Sequence, residues 1–130
     1  MTNRDVGRMM SAPWALEMNA ISIEDPSRLV QTLVDGILGC GGWVLSHVVN
    51  DGGKVNLLFE FERGACVDIY SALVASGVEL GQYGHNRLTE LCQCTLGRRH
   101  GSATEIASID LEIQTYPMLV ARVSQPTTTV

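Results

Sequence analysis

Only one lysine, Lys54, occurs in this 130-residue chain, and the arginines are scattered along it. Arg98, Arg99 and His100 form its only basic cluster, and the formal net charge is −5. Phosphate backbones need a concentrated positive surface, so nucleic acid is not an expected partner. Long apolar runs are missing as well. None approaches the roughly 20 residues of a membrane helix. No secretory-type stretch follows Arg4, Asp5 and Arg8. The expectation is a cytoplasmic protein that does not enter membranes. The sequence also lacks the G-x-S-x-G, G-x-G-x-x-G and phosphate-loop patterns. Its four cysteines and three histidines show no C-x₂-C or H-x₃₋₅-H spacing of the kind zinc needs. No catalytic residue, metal or cofactor is therefore assigned.

What is present suits one folded unit. Apolar residues make up 45% and charged residues 18%, a globular balance. At this size one core can form without metals or cross-links. The four cysteines, Cys40, Cys66, Cys92 and Cys94, are simplest to read as reduced thiols. No linker or repeat divides the chain. Residues 1–130 read as a single domain, with 1–12 and 124–130 as tails.

Alternation and helical spacing place the elements. Trp14, Leu16, Met18 and Ala20 alternate with Ala15, Glu17 and Asn19, which puts Glu17 and Asn19 on the opposite face from Leu16 and Met18. Asp25-Pro26 opens a helix, with aspartate as cap and proline at the first helical position. Leu29, Val30, Leu33, Val34, Ile37 and Leu38 form its apolar stripe. A second strand runs from Trp43 to Asn50, with His47 on the same side as Trp43, Leu45 and Val49. Asp51-Gly52-Gly53 marks a hairpin. Val55, Leu57, Phe59 and Phe61 then alternate with Asn56, Leu58, Glu60 and Glu62 in the clearest strand.

A second helix follows Gly64, with Cys66, Ile69 and Leu73 inward, and residues 77–85 read as a loop. Asn86 caps a third helix carrying Leu88, Leu91 and Cys92 on one face. Ala107, Ile109, Leu111 and Ile113 make the last long strand, and Met118–Val123 offers a short edge strand. The order βαββαβ, with an extra helix before the last strand, predicts an α+β ferredoxin-like sandwich. Its four-stranded antiparallel sheet would be covered by helices on one face.

Glu24-Asp25-Pro26-Ser27-Arg28-Leu29, after the first strand, resembles the acidic-x-proline-glycine-x-leucine signature of ACT domains. It matches at Glu24, Pro26 and Leu29, with Ser27 where glycine is usual. The likeness covers the first half of the chain, from Glu24 to about Phe61. It implies a non-catalytic regulatory module that works as a homodimer and binds a small molecule such as an amino acid. Glu24, Asp25, Ser27 and Arg28 are the ligand-binding candidates. Glu24 and Asp25 suit an amino group, and open amides at a helix start suit a carboxylate. The bland alternative makes Asp25 only a helix cap.

Two other readings stand beside this one. A small enzyme or thiol-dependent protein would use Cys66, His85 or Cys94. A structural assembly subunit would use none of these. Cys92-Gln93-Cys94 is not a chelating pair, because side chains two apart on a helix diverge. A twofold dimer is expected along the second strand or the first helix, since that strand is an apolar edge with few charges.

Overall fold

The computed structural model describes residues 14–97 and 104–117. Its elements are β1 (Trp14–Ser22), α1 (Pro26–Gly39), β2 (Trp43–Val49), β3 (Lys54–Glu62), a 3₁₀ turn (Arg63–Ala65), α2 (Cys66–Ala75), β4 (Glu79–Leu80), α3 (Gln82–Gly97) and β5 (Ile106–Thr115). The fold is α+β, with three helices and one five-stranded mixed sheet in the order β2-β3-β5-β1-β4.

The expected four-stranded antiparallel sheet is corrected on two counts. The sheet gains β4, which pairs antiparallel with β1 through Ala20–Leu80 and Ile21–Glu79. β5 lies between β1 and β3, parallel to the first and antiparallel to the second. The physical reason is local. Period-two alternation fixes which face a residue takes but not which neighbour its strand takes. A two-residue strand also carries no alternation to read.

Outside β2 the faces are as the pattern predicts. Leu16, Met18, Leu29, Leu33, Ile37, Leu57, Phe59, Ile69, Leu73, Leu91, Ile109 and Leu111 are all buried in one cluster. Phe59 and Ile109 pair across β3 and β5 and so share the core face. The other face of the sheet carries Glu17, Asn19, Asn56, Glu62 and Asp110, all exposed. Antiparallel and mixed sheets with one solvated face show this alternation.

α1 starts as its sequence dictates. The Asp25 carboxylate accepts the Arg28 N–H at 3.2 Å, and Pro26 occupies the first turn. The hairpin between β2 and β3 is held by Asn50, whose Oδ1 accepts from the amides of Gly52 and Lys54, each at 2.9 Å. Gly53 there has φ +80°, a region L side chains rarely adopt.

Residues 77–85 are not a loop. β4 occupies 79–80, and α3 starts at Gln82 rather than Asn86. Gly84 is buried, and a Cβ built there would lie 3.4 Å from Met18 Cβ. The glycine lets α3 approach β1 closely, and this contact outweighs its poor helix propensity. Among the described residues, no helix is long and apolar enough to cross a membrane. Residues 1–12, His100, Met118–Val123 and the 124–130 tail lie outside the described residues.

Candidate functional site

The β1–α1 turn holds the four ligand-binding candidates. The Glu24 amide donates to Ser22 Oγ at 3.2 Å, and the Leu29 amide donates to the Asp25 carbonyl at 2.8 Å. Asp25 therefore commits one carboxylate oxygen, Oδ2, to the helix start. Ser27 and Arg28 are exposed, and Glu24 is half-buried. The Glu24 side chain lies against the turn after α2. A Cβ built on Gly77 would meet Glu24 Cγ at 3.0 Å. The turn thus presents one partly covered carboxylate, one exposed hydroxyl and one exposed guanidinium around the start of α1.

The edge of the sheet away from this turn is β2, which β3 and β5 separate from β1. Among the described residues β2 pairs only with β3, and its other side has no described backbone partner. The register slips between Val44 and Ser46, leaving Leu45 as the extra residue of a bulge. This corrects the expected side of His47. It pairs with Leu57 on the helix-facing side, whereas Trp43 pairs with Glu60 on the open side and donates from Nε1 to Glu60 Oε1 at 3.1 Å. One inserted residue is enough to invert the alternation. A groove of about 540 Å³ follows this edge, lined by Val34 and Leu38 of α1 and by Trp43–His47 of β2. Leu38, Leu45 and Val48 are each more than half exposed.

The open sheet face is polar. Glu17 pairs with Asp110, and Glu112 lies between Asn19 and Asn56. With Tyr83 these residues line a cavity of about 410 Å³. Lys54 Nζ reaches Glu112 Oε2 at 2.7 Å. Among the described residues, no group of three or more His, Cys, Asp or Glu side chains is placed to hold a metal ion.

Cys66 and His85 share no described contact. Cys66, at the start of α2, is buried against Cys92 of α3, with the two Sγ atoms 2.6 Å apart. Its other sulfur contact is the Leu88 carbonyl at 3.9 Å. His85 is exposed and hydrogen-bonds the Tyr70 hydroxyl instead. Burial first, then the hydrogen bond with Cys92, pushes the Cys66 thiol far above its ordinary value. Burial likewise raises Cys92, while the hydrogen bond with Cys66 pulls it down. Cys40 is raised by burial and then by the charge of Asp68. Thiols held protonated are poor nucleophiles, and none of these is paired with an imidazole base in the described contacts. The Cys94 side chain lies outside the described residues.

One cluster escaped the sequence reading. The Arg63 side chain is only 4% exposed. It hydrogen-bonds the Glu105 carboxylate through Nη1, while its Cζ lies 4.8 Å from the Trp14 ring centroid. Arg87 approaches the same ring at 5.9 Å and pairs with Glu90. The signal was present. Arg63 continues the run Val55, Leu57, Phe59, Phe61 by one more step of two, which points it to the core face. No family model, curated protein or solved structure matches the chain.

Proposed function

We propose that this chain is a non-catalytic regulatory module that acts as a twofold homodimer joined along β2 and α1. The observation that carries the reading is the β2 edge. Among the described residues it offers backbone groups without a strand partner together with exposed Leu38, Leu45 and Val48. Exposed apolar edges are normally covered or blunted. The occupant is a second copy, and charge argues for it. Trp43–Val49 contains no Asp, Glu, Lys or Arg in a chain of net charge −5. Two such chains repel least where uncharged strand meets uncharged strand. An antiparallel strand pair about a twofold axis also satisfies both edges with the same surface. The acidic open face, with Glu17 and Asp110 side by side, opposes the alternative face-to-face packing.

Under this reading the β1–α1 turn is the effector site, with Glu24 and Asp25 toward an ammonium group and Ser27 and Arg28 toward a carboxylate. The resemblance of Glu24–Leu29 to ACT domains supports an amino acid as the ligand class. The described contacts of Cys66 are Cys92 and the Leu88 carbonyl rather than His85, which favours this over a thiol enzyme. Light scattering at low micromolar concentration is the test for the dimer. The expected mass is twice that of the chain, falling to one chain in Leu45→Lys/Val48→Lys. A wild-type monomer refutes the dimer. A thermal-shift screen with amino acids tests the effector site. The expected stabilisation is lost in Arg28→Ala, and a screen with no responding amino acid refutes that assignment.

A further inference from the structure

We infer that Cys66 and Cys92 form an oxidative modification site, a buried dithiol that a peroxide converts into an intrachain disulfide joining α2 to α3. The two sulfurs are each other's neighbours at 2.6 Å. They come from different helices, since Cys66 opens α2 and Cys92 lies one turn beyond Leu88 on the face of α3 that meets it. Both helices rest on the same core cluster, so their relative position is held by Ile69, Leu73, Leu88 and Leu91 around the pair. Disulfides require this kind of fixed proximity, which sequence spacing alone cannot supply.

The order of attack follows exposure. Cys92 is 8% exposed and Cys66 1%, so Cys92 meets the oxidant first. As a thiolate, its sulfur attacks one peroxide oxygen. An S–O bond forms, the O–O bond breaks, and hydroxide leaves to become water with the proton released from Cys92. The Cys66 sulfur then attacks the Cys92 sulfur. An S–S bond forms, the S–O bond breaks, and the departing hydroxide takes the Cys66 proton. Two thiols together lose two electrons and two protons, and one hydrogen peroxide is reduced to two waters. Because burial holds both thiols protonated, the first step is slow in the folded state. This marks a site that records sustained oxidation rather than a rapid peroxide sensor.

The test treats the full chain with excess hydrogen peroxide, removes it, then alkylates in denaturant with N-ethylmaleimide and maps the peptides by mass. The expected result is a linked peptide pair containing Cys66 and Cys92. Only Cys40 and Cys94 are alkylated, and dithiothreitol restores all four thiols. The Cys40→Ser/Cys94→Ser double variant gives the same cross-link, and Cys66→Ser and Cys92→Ser each lose it. Four alkylated cysteines overturn the inference. So does linkage through Cys40 or Cys94, or a sulfinic acid at Cys92 without linkage. The wild-type peptide map decides the matter even if a single variant fails to fold.

Discussion

Glu105→Gln is expected to destabilise the fold more than Arg63→Met, although the arginine is the more deeply buried partner. The Arg63 side chain is 4% exposed and that of Glu105 44%. Removing the carboxylate leaves a buried guanidinium with no counter-ion. Breaking a fully buried pair this way costs about 3–5 kcal/mol. Because Glu105 is nearly half in solvent, its attraction is screened, and we expect about 2–3 kcal/mol. Removing the cation has opposing effects. It loses the ion pair and the stacking on Trp14, the latter worth about 1–2 kcal/mol. It also removes Nε and Nη2, which are buried without partners among the described residues and cost about 1–3 kcal/mol each. Methionine keeps most of the apolar stem, and Glu105 returns to water. Arg63→Met should therefore lie within about 1 kcal/mol of wild type. In the double variant the glutamine should add little, giving a strong coupling in a double-mutant cycle. Urea unfolding followed by tryptophan fluorescence measures all four species, with Trp14 reporting the site directly. Equal or reversed costs for the two single variants would refute the argument that the charge is held against its own desolvation.

Two further outcomes follow from the structure. The Cys66 and Cys92 thiols are raised by burial from an ordinary value of 9.0, so the folded chain keeps protons that the unfolded chain releases above that value. Stability should be fully present below about pH 8 and decline above pH 9, by up to about 1.4 kcal/mol per pH unit for each thiol. Urea midpoints between pH 7 and 10.5 would show it, and a Cys66→Ala profile as steep as wild type would contradict it. Gly53→Ala should cost at least about 2 kcal/mol, because φ is +80° and the added Cβ would lie 2.7 Å from the buried Thr115 Oγ1. Thermal unfolding checks this, and an unchanged melting temperature would show that the β2–β3 hairpin turn is free to relax.

The legible parts of the fold were those set by local pattern. β3 alternates without interruption from Val55 to Phe61, and α1 carries cap, proline and stripe, so both could be read residue by residue. What remained hidden depended on distant partners. The slot taken by β5 rests on pairings such as Leu16 with Ile109 and Phe59 with Ile109, and no local spacing encodes them. The bulge at Leu45 inverted the faces of Trp43 and His47 because one residue without a partner leaves no compositional mark. The start of α3 was hidden by Gly84, whose use is a contact with Met18 that only the folded chain reveals. The Cys66–Cys92 contact was likewise out of reach, since each cysteine alone looks like an ordinary buried apolar residue. The candidate turn at Glu24–Arg28 was legible as a helix start, and Asp25 does act as its cap.

The central position of β5 also shapes how the chain reaches this state. A ribosome delivers β1, β2 and β3 long before β5, yet β1 and β3 have no direct ladder between them. Until Ile106–Thr115 emerges, α1 and the β2–β3 hairpin can form, but both strands that flank β5 expose open edges and half-built apolar faces. Pairs such as Trp14 with Ala107 close loops spanning most of the described chain. Such long closures slow folding and lengthen the time spent in adhesive intermediates. The nascent chain, with β1 and β3 both open on the side that β5 fills, is therefore the form of this protein most exposed to aggregation.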